Sequence, residues 1–405
     1  MRKVWVLLAV FLLAASAPGA ALAADVPINS TNFPDNTFII FVREHDTNSD
    51  GILSPEEIEA AKSMTVKPDF GAKNLVGIEY FTYLETLVCA KQELTSLDMR
   101  WNAKLKDLHC ETNDLLTALN VSKNTELSTL ECPNNRLTAL DLSKNTELST
   151  LKCTDNRLTA LDLSKNEQLS TLNCRNNRLM ALDLSKNTNL NSLYCEGNQL
   201  TALNVANTRL DSLSCQGNRL TFLDLQGLPL NSNATVGGQT RDGLTVSAIG
   251  GVYVVDLGAF LSPDRFFKVK DLAGKDSGGA PLTPLSFLNN GKVTFKTKPV
   301  TVTYRYATGN TEAPLMDVTL IESNTITVSV SGRGRVTRQG STEALSGSVA
   351  VFPGDDATFV ILADAGYEIE YLEVNNTPVS IHVPQRDEES YSEGRVQVRT
   401  GRVAE

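Results

Sequence analysis

The chain has 405 residues, a formal net charge of −10 and seven cysteines. This length exceeds that of one ordinary domain and predicts roughly two to four folded units. An acidic chain without a cluster of basic residues is poorly suited to phosphate backbones or anionic lipid surfaces. Nucleic-acid binding is therefore excluded from the candidate functions.

The N-terminus has the layout of a secretory signal. Arg2 and Lys3 precede an apolar run over residues 4–15, and Ala21 and Ala23 form a small-residue cleavage site. The run is short for a membrane span, and no second long apolar run follows. We expect cleavage after Ala23 and an exported, soluble chain without a transmembrane segment.

Residues 46–57 read D-T-N-S-D-G-I-L-S-P-E-E, which matches the whole EF-hand ligand pattern. Gly51 supplies the sharp turn, and the oxygen donors suit Ca²⁺, the expected cofactor. A lone loop of this kind should bind weakly, and the alternative is a helical cap that keeps the loop shape without an ion. The predicted metal ligands are Asp46, Asn48, Asp50, Ile52 through its carbonyl, Ser54 and Glu57.

The stretch before this loop is expected to form a helix that covers the first coil of the repeats that follow. Phe38, Ile39, Phe41 and Val42 are spaced to give one apolar face. A stack of repeats needs such a cover, because its first coil would otherwise expose apolar surface.

A repeat of about 21 residues follows, with one cysteine in each copy. Leu148, Leu151, Cys153, Asn156 and Leu158 carry the pattern in one copy. A period of this length with L-x-x-L-x-C-x-x-N-x-L is typical of leucine-rich repeats and predicts a solenoid of seven coils. The cysteines are Cys89, Cys110, Cys132, Cys153, Cys174, Cys195 and Cys215.

Leucine and cysteine two positions apart point to the same side of a strand, so both are predicted to face the interior. This favours a ladder of buried, reduced thiols. One or two disulfides, or a metal site, remain as alternatives. The asparagines three positions after each cysteine, with Gln92 in the first copy, are expected to satisfy buried backbone groups.

Two outward positions in the repeat differ in how much they vary. The residue between the leucines of L-D-L is always Asp or Asn, which indicates a scaffold role. The residue before each cysteine changes in every copy, and the residue after it also varies. A varied face on a rigid sheet can encode a partner; the alternative is neutral drift. The predicted ligand-binding residues are His109, Glu131, Lys152, Asn173, Arg175 and Tyr194.

After residue 232 the pattern changes to short strands rich in Val, Thr and Tyr between Gly, Asn and Asp turns, which is typical of a β-sandwich. The predicted boundaries are 1–23 signal, 24–76 cap, 77–232 repeats, 233–323 sandwich, 324–383 small β-repeat domain and 384–405 charged tail.

The cysteine-containing 21-residue repeat and the loop before it resemble the internalins, a family of secreted bacterial leucine-rich repeat proteins. The resemblance implies a multi-domain fold: a leucine-rich repeat solenoid, an α-helical EF-hand-like cap and C-terminal all-β, immunoglobulin-like domains. It further implies a secreted or cell-surface protein, the periplasm being the alternative location.

The expected function is binding rather than catalysis. The chain has three histidines, and His109 beside Cys110 is on the opposite face of its strand from the thiol. We expect a monomer that binds a protein or glycan ligand through the varied face. The competing hypothesis is a structural spacer of a bacterial envelope assembly without a specific ligand.

Overall fold

The computed structural model describes residues 24–230, 234–244, 246–287, 290–309 and 315–322, and beyond them the backbone of seven strands between 324 and 399. The predicted signal at 1–23 lies outside the described residues. The chain divides into two compact units. The first unit comprises the chain up to Asn198 together with Asn204–Leu213. The second unit comprises Gln199–Leu203 together with the chain from Ser214 onward.

The first unit begins with short elements around an aromatic core. Phe33, Phe38, Phe41 and Phe81 are fully buried, so the apolar face predicted for the first helix does point inward. The two α-helices among the described residues of this unit have only five and six residues. The elements are β1 Val26–Pro27, α1 Phe38–Val42, a 3-10 helix Arg43–His45, β2 Ile52–Leu53, α2 Pro55–Ala60, β3 Ser63–Thr65 and a 3-10 helix Ile78–Tyr80.

The repeats form a solenoid of seven coils, as the sequence predicts. Each coil contributes one three-residue strand to the main sheet, and the first two coils contribute one more each. Neighbouring strands pair in parallel with identical positions opposite each other, for example Leu151 with Leu172. The strands are β4 Thr86–Val88, β5 Ser96–Asp98, β6 Asp107–His109, β7 Ala118–Asn120, β8 Thr129–Glu131, β9 Thr150–Lys152, β10 Thr171–Asn173, β11 Ser192–Tyr194 and β12 Ser212–Ser214.

Eight strands make one parallel sheet in the order β12-β11-β10-β9-β8-β6-β4-β3. Strand β3 comes from the segment before the repeats, so the cap continues the sheet. Strands β5 and β7 pair on their own.

The interior of the coils is lined by leucines and by the seven cysteines. All seven are free thiols with no exposed surface. Burial raises the pKa of the Cys110, Cys132, Cys153 and Cys174 thiols well above the ordinary value. The geometry is the predicted ladder of buried, reduced cysteines, and such thiols are chemically inert.

The predicted asparagine ladder pairs the backbone of adjacent coils. Asn156 donates through Nδ2 to the carbonyls of Cys132 and Cys153, at 2.9 and 3.2 Å. Its Oδ1 accepts from the backbone N–H of Leu137 at 3.0 Å. Each such amide therefore satisfies three backbone groups that the tight turn leaves without partners.

A second column of asparagines lies on the other side of the coil. Asn145 donates through Nδ2 to the carbonyls of Val121 and Asn124, at 3.0 and 2.8 Å. The Oδ1 atoms of this column are buried without a hydrogen-bond partner among the described residues. The members are Asn102, Asn124, Asn145, Asn166 and Asn187.

From Ser214 onward, the second unit contains the end of the last repeat and an irregular eighth turn. Thr235 bridges Ser214 in parallel. Val236 is fully buried at the position that cysteine occupies in the repeats. Gln239 replaces the ladder asparagine and donates to the carbonyls of Cys215 and Val236 at 2.9 and 3.0 Å.

Two β-sheets follow in this unit, a five-stranded one in the order β13-β21-β20-β16-β17 and a four-stranded one in the order β14-β15-β19-β18. A Cβ on Gly274 in the first sheet would lie 2.9 Å from the ring of Phe295 in the second, so the two sheets pack closely there. Their strands are β13 Gln239–Leu244, β14 Val246–Ile249, β15 Val252–Asp256, β16 Val269–Lys275, β17 Pro281–Leu282, β18 Ser286–Phe287, β19 Lys292–Phe295, β20 Thr301–Tyr306 and β21 Met316–Glu322. Two 3-10 helices, Leu257–Ala259 and Pro263–Lys268, separate β15 from β16.

Seven further strands lie beyond residue 323. One of them, Glu393–Arg399, falls in the predicted tail and pairs with Asp356–Ala363, so part of that segment is a strand. The alternation in Gly394, Val396 and Val398 favours this conformation. The strands are β22 Asn324–Val328, β23 Gly334–Arg338, β24 Gly347–Val351, β25 Asp356–Ala363, β26 Leu372–Val374, β27 Thr377–Val379 and β28 Glu393–Arg399.

Candidate binding face and calcium loop

The varied residues lie side by side on the outer face of the parallel sheet. In the sheet strands β4, β6, β8, β9, β10 and β11 the middle leucine is buried and its two neighbours are half-buried. The register places each varied residue directly opposite the next: Val88, His109, Glu131, Lys152, Asn173 and Tyr194. We call this set the varied row. The structure therefore brings five of the six predicted ligand-binding residues into one line.

Polar and charged side chains within the varied row contact one another. Glu131 lies between His109 and Lys152, with Oε1 at 2.8 Å from Lys152 Nζ and Oε2 at 3.8 Å from His109 Nδ1. Asn173 accepts a hydrogen bond of 2.7 Å from the Thr154 hydroxyl. The row is thus a set of mutually oriented polar groups, and Tyr194 is its aromatic member.

Arg175, the sixth predicted residue, lies two positions beyond the varied row. Its Nε forms an ion pair of 2.7 Å with Glu196 Oε1. The Glu196 side chain is only 9% exposed, whereas that of Arg175 is 45% exposed. The guanidinium is therefore held by Glu196 beside the row, a contact that the sequence did not reveal.

The constant Asp and Asn positions have a structural reason. Each side-chain Oδ1 accepts a hydrogen bond of 2.9 to 3.2 Å from the backbone N–H two residues later. Only Asp and Asn make this local turn well. The bond from Ser164 lowers the pKa of Asp162. The members are Asp98, Asn120, Asp141, Asp162, Asp183, Asn204 and Asp224.

The predicted calcium loop folds around its own carboxylates. Asp46 accepts hydrogen bonds from the backbone N–H groups of Asp50 and Gly51 at 3.1 and 2.9 Å. Asp50 accepts one from Ile52 N–H at 2.9 Å. Gly51 has φ +82° with no heavy atom near the position of a Cβ, so its conformation, not crowding, requires glycine there.

Glu57 closes the loop. Its Oε1 accepts from the Thr47 backbone N–H at 2.6 Å and the Thr47 hydroxyl at 2.8 Å. Its Oε2 accepts from the Ser54 backbone N–H and hydroxyl, both at 3.0 Å. Hydrogen bonds from Ser54 and Thr47 lower its pKa to about 2. Ser54 in turn caps α2, and the pair forms a capping box.

The loop fits Ca²⁺ by the chemistry of its donors, which are all oxygens. Among the described residues, His, Cys, Asp and Glu side chains form no group of three or more that could hold a metal ion. Glu57 satisfies its oxygens with Thr47 and Ser54 instead, so it would have to exchange some of these bonds for a cation.

Two features that support the loop were not predicted from the sequence. Val26 and Pro27 pair antiparallel with Leu53 and Ile52, which gives the loop a partner strand from the start of the described chain. Asp35 accepts bonds from the backbone N–H groups of Thr37 and Phe38, both at 2.9 Å. The only local signal was the Asp two positions before Thr37, a common capping arrangement.

The ladders and the register of the coils define a leucine-rich repeat solenoid. No protein-family model matches the chain, and no curated protein matches it significantly. Among solved structures, the functional domain of InlJ from Listeria monocytogenes, described as including a cysteine ladder, is similar at 18% identity and TM-score 0.26, covering 75% of this chain and 99% of that one.

Internalin C2 from Listeria monocytogenes is similar at 19% identity and TM-score 0.35, covering 50% of this chain and 100% of that one. A leucine-rich repeat protein from Leptospira interrogans is similar at 20% identity and TM-score 0.29, covering 42% and 58%. Internalins are thus among the structures that the chain resembles, as its repeats predict. Because these identities and TM-scores are low, the assignment of the fold depends on the geometry of the coils and not on the likeness to these structures.

Proposed function

We propose that the chain is a surface-exposed or secreted binding protein whose varied row contacts a protein partner. One observation carries the proposal: six unlike side chains stand in register on one face, while the constant positions repeat a single backbone-capping role. Residues without a structural task on a rigid sheet are free to be selected for recognition. The alternative ligand of the same varied row is a glycan.

Tyr194 and Lys152 are the residues to change. Tyr anchors many interfaces because it brings large area at low entropic cost, and Lys152 is held in place by Glu131. A pull-down with the chain from Ala24 onward, against host and bacterial surface extracts, should enrich a partner. A double variant, Tyr194→Ala with Lys152→Glu, should lose that partner.

Lys165→Glu is the matched control, because Lys165 is an exposed lysine of the same solenoid outside the varied row. It should leave the partner bound. Equal loss of partner binding in both variants would show that the partner responds to the net charge of the protein and not to the varied row. No enrichment at all would favour the alternative, a rigid spacer within an envelope assembly.

The proposal includes an EF-hand-like cap that binds Ca²⁺ and an immunoglobulin-like sandwich after the solenoid. Support for the cap comes from the oxygen donors of residues 46–57 and the capping box of Ser54 and Glu57. Asp46, Asn48, Asp50, Ile52, Ser54 and Glu57 would hold the ion, with a dissociation constant on the order of 10⁻⁴ to 10⁻³ M. The ion would link the two helices of the cap; the alternative is a cap that is stable without it.

Calorimetric titration with CaCl₂ tests the cap. Glu57→Gln should remove the binding heat, whereas Glu56→Gln, the exposed neighbour that is not a proposed ligand, should retain it. Absence of binding heat in the unmodified chain would leave the ion-free cap as the answer.

Export and solubility complete the proposal. Among the described residues, no helix is long and apolar enough to cross a membrane. The layout of residues 1–23 supports secretion, and N-terminal sequencing of exported protein should find Ala24 first. The proposed role is binding by a monomer, without catalysis; light scattering tests the oligomeric state.

A further inference from the structure

The turn that follows each sheet strand presents a second surface, away from the varied row. Two residues after each cysteine, the backbone adopts a left-handed conformation. Five of these residues are not glycine and have φ between 50° and 57°. For such residues this conformation is uncommon and costs energy. They are Lys91, Thr112, Asn134, Asp155 and Asn176.

Immediately beyond the ladder asparagine, the next position of each coil forms a column: Asp114, Arg136, Arg157 and Arg178. Identical positions in adjacent coils are about one strand spacing apart, roughly 4.8 Å. Arg136, Arg157 and Arg178 are all exposed. Like charges stacked at this distance repel one another, so the column favours an anion that could lie against it.

A surface depression lies between these two columns. It has a volume of about 380 Å³ and is lined by Asp114, Asn134, Arg136, Asp155, Arg157 and Asn176, besides two ladder asparagines. This is near the lower end of the roughly 300–1,000 Å³ typical of small-molecule sites. Every lining residue is polar or charged, which argues against an apolar ligand.

The lining is partly preorganised. Asn176 donates a hydrogen bond of 2.8 Å to Asp155 Oδ1. Within the described part of the chain, the guanidinium groups of Arg136 and Arg157 have neither an ion pair nor a hydrogen bond. Two adjacent arginine forks are therefore available to a carboxylate or sulfate.

The acidic residues narrow the class of ligand. Asp114 and Asp155 stand at the same depression and would repel a densely charged polyphosphate. They can instead accept hydrogen bonds from hydroxyl groups, as Asn134 can. A ligand with one anionic group among several hydroxyls would satisfy both the arginines and the hydrogen-bond acceptors of the depression.

We propose that this depression binds an acidic saccharide, its anionic group on Arg136 and Arg157 and its hydroxyls on Asp114, Asn134 and Asp155. The site is separate from the varied row and does not depend on the proposed function. Carboxylated and sulfated sugars share this chemistry, and the test separates them.

The test is calorimetric titration of the chain from Ala24 onward with three tetrasaccharides at low salt. One is a hyaluronan tetrasaccharide, anionic through carboxylates alone; one is a κ-carrageenan tetrasaccharide, anionic through sulfates alone; the third is fully N-acetylated chitotetraose, which is neutral. We expect binding of at least one acidic sugar and none of chitotetraose. The preferred acidic sugar identifies carboxylate or sulfate as the recognised group.

A double variant, Arg136→Ala with Arg157→Ala, should weaken that binding by about ten-fold or more. Arg209→Ala is the matched control, an exposed arginine outside the depression, and should bind as the unmodified chain does. Arg136→Lys with Arg157→Lys keeps the charge but loses the planar forks, and should fall between the two.

Melting temperatures of all variants should match, because the changed side chains are exposed. Binding of chitotetraose as tight as that of the acidic sugars, absence of binding by either acidic sugar, or unchanged affinity in the double alanine variant would each overturn the proposal. Changes at Tyr194 and Lys152 should leave sugar binding intact, so a failure here is distinguishable from a failure of the varied row.

Discussion

The carboxylate of Asp35 accepts a hydrogen bond of 2.7 Å from the backbone N–H of Lys73. The same oxygen accepts a second bond from Asn74 N–H at 3.2 Å, while the other oxygen caps the start of α1. A single buried side chain thus ties the first helix to the segment that leads into the first coil.

Asp35→Ala should therefore destabilise the cap by about 2–3 kcal/mol, since it removes a helix cap and leaves buried N–H groups unpaired. In the chain from residue 24 onward, Trp101 is the sole tryptophan, so its fluorescence follows urea unfolding of this region. Asp25→Ala is the control, at an exposed aspartate of the same segment. An equal shift of the urea midpoint in both variants would contradict the role given to Asp35.

The two asparagine columns should differ in how much they stabilise the solenoid. Asn156→Ala leaves one N–H and two or more carbonyl groups without partners. Asn166→Ala removes one of two donors from the carbonyls of Leu142 and Asn145, each of which also accepts a backbone N–H, and removes a buried Oδ1 that has no partner among the described residues. We expect a loss of about 2–4 kcal/mol for Asn156→Ala and about half of that for Asn166→Ala. Urea unfolding followed by far-ultraviolet circular dichroism measures both, and a reversed order would show that the second column matters more.

The buried thiols predict a loss of stability at alkaline pH. Burial raises their folded-state pKa above the unfolded value, so the unfolded chain releases protons that the folded chain retains. Their stabilising contribution is full below the unfolded pKa, about 8.5, and falls as pH rises above it. Each thiol contributes a slope of at most about 1.4 kcal/mol per pH unit.

Melting temperatures at pH 8 and pH 10 measure this effect. A double variant, Cys153→Ala with Cys174→Ala, should be less stable at pH 8 because of the lost packing, yet lose less on going to pH 10. An identical alkaline loss would assign the effect to other groups, such as the buried tyrosines. Denatured protein should titrate as seven free thiols, and native protein should react slowly.

Gly77 is a further position with a sharp prediction. Its φ is +102°, and a Cβ there would lie 2.2 Å from the ring of buried Phe33. Gly51 also has a positive φ, +82°, but has open space around it. Gly51→Ala should cost about 1 kcal/mol from backbone strain. Gly77→Ala should cost clearly more, because strain and overlap add. Thermal melts in the presence of chelator compare the stability of the two variants. Equal losses of stability would mean that the Phe33 ring moves aside without destabilising the core.

Much of the solenoid was predictable because every coil repeats the same contacts. Leu151 faces Leu172, and Cys153 follows in the same interior, since one period of 21 residues fixes both the side chain's direction and its neighbour. The same logic placed His109, Glu131, Lys152, Asn173 and Tyr194 on one face. The EF-hand-like interpretation of residues 46–57, the immunoglobulin-like sandwich and the absence of catalysis stay predictions.

Other features depend on residues that no local pattern connects. Arg175, predicted only as a ligand-binding residue, forms an ion pair with Glu196 because adjacent coils bring their turns together. The buried role of Asn102 and its column was not predicted, because it depends on carbonyls of the preceding coil that the stacking brings within reach. Gln239 continues the ladder although Val236 stands in place of the cysteine and Ala234 in place of the leucine before it.

By itself, then, the sequence determined the period, the inward leucines and thiols, the outward varied row and the oxygen donors of the loop, because each follows from spacing along the chain. The tertiary structure alone decided the pairing of Val26 with Leu53, the bond from Lys73 to Asp35 and the depression between Arg136 and Arg157. These relationships join groups in different coils or tens of residues apart along the chain, so their distances are set only by the folded backbone.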